Sequence, residues 1–131
     1  MACFSGEYNV NENLGHHLLF DCYGCNGATL ANLPAVRDVL ARAAAAFGLT
    51  VIAERLHQYS PQGVSGVLIL AESHLAVHTW PEHGFAAVDL FTCGMRPDPE
   101  GLSDYFKSAL DAERVEFRLV ERGAALVTAV S

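Results

Sequence analysis

GVSGVLILAESHLAVHTWPEHGFAAVDLFTCG, residues 63–94, decides the fold. It holds three apolar runs, at 63–71, 74–80 and 85–93, each rich in Val, Leu, Ile, Phe or Ala. Such runs, cut by short polar breaks, read as consecutive strands. Glu72-Ser73 lies in the first break. Pro81-Glu82-His83-Gly84 forms the second and predicts a hairpin turn. Outward from this core the pattern continues on both sides. GHHLLFDC at 15–22 and the stretch 49–57 read as strands before it, and VEFRLVER at 115–122 closes the sheet after it. Asn32 caps a helix that has Pro34 in its first turn and stops at Gly48. Asp98-Pro99 opens a second helix, to about Asp111. Ser60-Pro61-Gln62-Gly63 is a turn, and residues 1–14 are polar and aperiodic, an arm. The order β-α-β-β-β-β-α-β predicts an α+β, two-layer sandwich: an antiparallel sheet with two helices on one face. The other sheet face is then left apolar and calls for a partner.

The bulk numbers agree. The chain of 131 residues fits one domain, spanning 1–131, and is 51% hydrophobic, enough for a core without disulfide staples. Charged residues make up only 18%, which again predicts a protomer covered by another copy. Eight Lys+Arg against fifteen Asp+Glu give a formal charge of −7, so no nucleic-acid or anionic-membrane partner is expected. The opening MACFSGEYNVNENLG has no basic segment followed by an apolar one, which argues against a secretion signal. No apolar run approaches the roughly 20 residues of a membrane span. The expected location is cytoplasmic, with Cys3, Cys22, Cys25 and Cys93 as reduced thiols.

Taken singly, the polar residues of the core stretch have plain structural explanations. Ser73 fits a tight turn, His78 a half-buried strand histidine, Ser65 a turn hydroxyl between glycines, and Cys93 a small hydrophobe. Each also has a chemical alternative. Ser73 is a hydroxyl able to attack the Glu72 carbonyl in a distorted peptide. His78 is a candidate acid/base, since histidine is the side chain most often used to carry protons. Cys93, beside Gly94 at a strand end, is a candidate proton donor. Cys22-Tyr23-Gly24-Cys25 is a lone C-x-x-C with no second pair, weak as a zinc or redox motif. His16 and His17 alternate across a strand and cannot chelate one ion together. His57, His74 and His83 are scattered, and no metal site is expected.

The joint arrangement is more specific. ESHL-x-x-HTWPE followed by D-x-FTCG, with LGHHLLFDCYGC, LHQYSPQG and RVEFRLVERG around it, closely resembles the bacterial S-adenosylmethionine decarboxylase proenzymes over about residues 14–123. The resemblance implies a serine that becomes a pyruvoyl group when the bond before it cleaves itself. Ser73 matches that serine, Glu72-Ser73 the scissile bond, and the products would be a β chain of 1–72 and an α chain of 73–131. His78 matches the processing histidine and Ser65 the serine that assists cleavage. Cys93 matches the catalytic proton donor, Glu82 a ribose-binding glutamate, and Tyr59 an aromatic that stacks on adenine. The implied activity is decarboxylation of S-adenosylmethionine, through a Schiff base with the pyruvoyl ketone, to supply aminopropyl groups for spermidine. Neither pyridoxal phosphate nor metal is then required. The implied assembly is a homodimer, four-layered αββα, with active sites at the interface built from both copies. His83, Tyr59 and Ala76 depart from the residues most frequent in that family, and the N-terminal arm is long. His83 and Tyr59 fall near the expected pocket, which keeps a basic amino acid such as arginine or ornithine as an alternative substrate. A non-processing regulatory homologue would have lost Ser73, His78 or Cys93, and a small metal or redox protein would rest on Cys22 and Cys25.

Overall fold

The computed structural model describes residues 14–124. Six strands run β1 (Gly15–Tyr23), β2 (Val51–Gln58), β3 (Val64–Leu70), β4 (Ser73–Trp80), β5 (Phe85–Thr92) and β6 (Arg114–Arg122). They form one sheet in the order β2-β3-β4-β5-β1-β6, with every neighbouring pair antiparallel. Three helices intervene: α1 (Gly27–Leu30), α2 (Leu33–Ala46) and α3 (Pro99–Ala109). The expected α+β arrangement is therefore present. The arm expected at residues 1–14 lies, but for Leu14, outside the described residues.

The local signals work as their chemistry requires. The Asn32 side chain accepts from the Ala35 N–H at 2.9 Å, and Asp98 accepts from the Glu100 and Gly101 N–H groups at the start of α3. Two elements escape sequence reading. The first, α1, is a single turn capped by Asn26, too short to show a helical period. The second is the break at 81–84, a 3₁₀ turn (Pro81–His83) closed by Gly84 at φ 58°, in place of a simple hairpin turn.

Alternation along the strands divides the sheet cleanly. Leu18, Phe20 and Cys22 of β1, Leu68 and Leu70 of β3, Leu75 and Val77 of β4, and Val88 and Leu90 of β5 are buried on one face. Against them pack Leu30, Val36, Leu40, Ala43, Leu102 and Phe106 from the helices. Phe20 and Phe106 meet at 5.3 Å between ring centroids, a contact that joins sheet to α3. The Tyr105 hydroxyl donates to Val39 O at 2.6 Å and ties α3 to α2. A buried polar link completes the layer. Thr79 Oγ1 donates to Leu30 O at 2.8 Å and accepts from the Val64 N–H at 2.9 Å. Thr79→Val keeps the shape and strands both partners, so a loss of about 2–4 kcal/mol is expected in urea unfolding. A loss under ~1 kcal/mol would mean that water replaces the hydroxyl.

The opposite face corrects an expectation. It carries Leu19, Val67, Ala76, Ala87 and Phe91, but one cross-strand row also places Arg55, Asp89 and Arg118 there. It is a mixed surface with charges interspersed, not an apolar one. Part of the reason is legible in the strands themselves, which alternate where a doubly buried strand would run continuously apolar.

Candidate active site

Ser73 is the first residue of β4, not a loop residue between strands. It pairs with Leu70 across the hairpin and with Thr92 of β5. The connection Ala71-Glu72 is thus only two residues long. Two-residue hairpins place strain on their backbone, and here it falls on Ser73, whose φ is 153°. Only glycine visits that region freely, and a side chain there costs about 1–3 kcal/mol. The Glu72 carbonyl accepts a hydrogen bond from the Cys93 N–H at 3.1 Å, so Glu72, Ser73 and Cys93 form one group at the β3–β4 end.

A second group forms at the far end of β4. Ser65 faces His78 across the β3–β4 ladder, with Ser65 Oγ and His78 Nδ1 2.6 Å apart. Gly63, at φ 112°, lets β3 begin against the Thr79 carbonyl, where an added Cβ would sit 3.3 Å away. Gly66 leaves space for Leu56 of β2, whose Cγ would lie 2.7 Å from an added Cβ. Ser65 meets its histidine because the β3–β4 register sets the two directly opposite. Tyr59 sits just past β2 on a turn held by Gly63 O, which accepts from the Tyr59 N–H at 2.8 Å and from Gln58 Nε2 at 3.0 Å. Glu82 lies in the 3₁₀ turn. Tyr59, Ser65, His78 and Glu82 line one open cavity of about 290 Å³ with Gln62, Gly63, Thr79 and Trp80. Gln62 and Trp80 were not singled out from sequence, although both adjoin residues that were.

The two groups are separate within one chain. Ser73 and His78 are five residues apart on the same strand, roughly 16 Å at the usual rise. His78 is beyond hydrogen-bond reach of the Ser73 in its own chain.

The remaining candidates sort by environment. Cys22 and Cys25 are free and buried. Burial foremost, then the neighbouring Cys25 and Asp21, pushes the Cys22 thiol up to about 12. Burial pushes Cys25 up to about 11. Thiols so far from ionising are poor nucleophiles. Both are expected to resist iodoacetamide in the native protein and to react fully on unfolding; rapid native labelling would contradict this. Cys93 corrects the expectation of reduced thiols throughout: it is disulfide-bonded. His16 faces the helices and its Nδ1 lies 2.7 Å from Glu121 Oε2, while His17 lies on the opposite face edge-on to Phe91. His74 stacks on the same Phe91 ring, its pKa lowered by burial and by His17. Among the described residues, no three His, Cys, Asp or Glu side chains converge as a metal site. No described helix is long and apolar enough to cross a membrane.

The molecule is a small antiparallel α+β sandwich, with a strained serine at one hairpin and a Ser–His pair at the other end of the same strand. Comparison with known proteins places it further. The family model described as S-adenosylmethionine decarboxylase matches residues 16–123. The S-adenosylmethionine decarboxylase proenzyme of Acidithiobacillus ferrooxidans is 46% identical over 112 residues, 86% of this chain and 84% of that protein. The proenzyme of Thermotoga petrophila is 43% identical, over 86% of each chain. The crystal structure of the adenosylmethionine decarboxylase from Aquifex aeolicus superimposes with a TM-score of 0.78 at 38% identity, covering 86% of this chain and 92% of that one. The chain belongs to the S-adenosylmethionine decarboxylase family.

Proposed function

We propose that this protein is a pyruvoyl-dependent decarboxylase of S-adenosylmethionine that cleaves itself at Glu72-Ser73 and works as a cytoplasmic homodimer, supplying aminopropyl groups for spermidine. The observation that carries the reading is Ser73: a hydroxyl on a strained residue, directly after the peptide it must attack, in a chain whose relatives are proenzymes.

The residues provide a balanced route. Ser73 Oγ adds to the Glu72 carbonyl carbon, the C–N bond breaks, and the peptide becomes an ester with a free Ser73 amine. A base then removes the Ser73 α-proton, and the Glu72 carboxylate leaves by β-elimination. Water hydrolyses the resulting dehydroalanine to a pyruvoyl group and ammonia. The β chain is then 1–72 and the α chain begins at the former Ser73. The residue at this position fits the group because it is the group's own precursor. The pyruvoyl group would supply a carbonyl for the substrate amine and an electron sink for decarboxylation, the task pyridoxal phosphate performs elsewhere.

The other residues have separable tasks. The Ser65–His78 pair moves protons during processing. Since it lies some 16 Å from Ser73 of its own chain, it must act on Ser73 of a second copy, with the sheet faces packed together in four layers. Tyr59 stacks on the adenine, and Glu82 accepts hydrogen bonds from the ribose. Cys93, as a free thiol, would supply the proton that the substrate α-carbon takes up once CO₂ has left.

Denaturing intact mass tests the processing. Two fragments divided before Ser73, the second blocked by a ketone, are expected; a single species at 14.1 kDa overturns the reading and leaves a non-processing homologue. Assay under reductant then tests the substrate. CO₂ release from S-adenosylmethionine is expected, and release from arginine or ornithine instead would overturn the substrate assignment. Cys93→Ala is expected to split normally but lose turnover by about 10²-fold or more. Equal loss of both would contradict the donor role.

A further inference from the structure

We propose that the Glu72 side chain is a positioning group for self-cleavage: by accepting a hydrogen bond from the Thr50 backbone N–H, it holds the Glu72 carbonyl against the Cys93 backbone N–H, which acts as the oxyanion donor. The inference rests on the self-processing reading and deepens it.

The two-residue connection at 71–72 is held from outside the hairpin on two sides. On one side stands Thr50, just before β2. It accepts from the Ala71 N–H through its carbonyl at 2.8 Å, and its own N–H donates to Glu72 Oε1 at 3.0 Å. On the other side stands Cys93, just after β5, whose N–H donates to the Glu72 carbonyl at 3.1 Å. Thr50 therefore meets the turn with both its backbone groups, and the second of these bonds depends on a side chain. Cys93 meets the atom on which charge develops. When Ser73 Oγ bonds to the Glu72 carbon, the carbonyl oxygen becomes negative while already facing an N–H. A donor set in advance costs no reorganisation at that moment. As the C–N bond breaks, the hydroxyl proton ends on the Ser73 nitrogen. The step is an isomerisation of peptide to ester and needs no co-reactant. The donor is main-chain, so it is independent of the Cys93 sulfur.

The test follows splitting of freshly translated full-length chain on denaturing gels, with and without hydroxylamine, which cleaves esters. Glu72→Met keeps the side-chain length and removes the acceptor. Thr50→Pro removes the donor from the other end and keeps the Thr50-position carbonyl. Each is expected to slow splitting about 10-fold, the factor that 1.36 kcal/mol carries in a rate. Glu72→Gln keeps Oε1 and is expected to stay within about threefold of the wild type. Hydroxylamine should not restore the rate in the Met and Pro variants, because the impaired step precedes the ester. It should split His78→Ala, where the ester accumulates. Wild-type rates in both Glu72→Met and Thr50→Pro overturn the clamp, as does a Gln variant as slow as Met, or rescue of Met by hydroxylamine. A wild-type chain that never splits instead removes the self-processing reading, and the clamp with it. Near-UV circular dichroism of each substitution in a Ser73→Ala background separates slowed chemistry from misfolding.

Discussion

Ser73→Ala is expected to remain a single 14.1 kDa chain and to release no CO₂ from S-adenosylmethionine. The methyl group can neither attack the Glu72 carbonyl nor become a ketone, so cleavage and turnover fall together to background. Losing the hydroxyl should not cost the fold. Ser73 is only partly buried, its backbone pairs with Leu70 and Thr92, and its strained φ persists in either residue. Ser73→Gly should relax the φ of 153° as well as removing the nucleophile. It is therefore expected to melt higher than Ser73→Ala, by an amount within the about 1–3 kcal/mol that such a conformation stores. Intact mass, activity and thermal melts of the two variants make the comparison. A Ser73→Ala chain that still splits would move the cleavage site elsewhere.

His78→Ala is expected to slow processing by about 10²–10⁴-fold, the range that a positioned proton carrier supplies. Ester or intact precursor should accumulate. More telling is co-expression of His78→Ala with Ser73→Ala. Each copy lacks one half, but a mixed dimer holds one site with Ser73 from one chain and the Ser65–His78 pair from the other. The His78→Ala chain should then split, while neither variant alone does. If the two variants fail to complement, the pair acts within its own chain. That outcome would require β4 to abandon the extended form that sets the roughly 16 Å separation.

How far the site could be foreseen differs from residue to residue. The Ser65–His78 contact across β3 and β4 needs the register of a hairpin, and register depends on loop length. Reading Glu72-Ser73 as the break moves the hairpin one residue along and sets Ser65 opposite Trp80. A connection at Ala71-Glu72, of the same length, sets Ser65 opposite His78. Glu82 and Tyr59 could be named by family resemblance, but their meeting in one cavity depends on a 3₁₀ turn and on Gly63 holding the preceding turn. Thr50 carries no chemical signal at all. Its part is played by backbone atoms, which every residue but proline possesses.

What the amino-acid order determined by itself is the six strands and the two longer helices. Apolar alternation marks six strands, Asn32 and Asp98 cap two helices, and the succession of strands forces one antiparallel sheet with a helical layer. These are local or near-local choices, decided by period and capping. The tertiary structure alone decided three things: the strain at Ser73, the separation of its group from the His78 group, and the convergence of Thr50 and Cys93 on Glu72. Residues 50, 72 and 93 are each about 20 positions apart. Only the stacking order of β2 to β5 brings the ends of those strands to one edge, and hydrogen bonds across that distance leave no periodic trace in the chain.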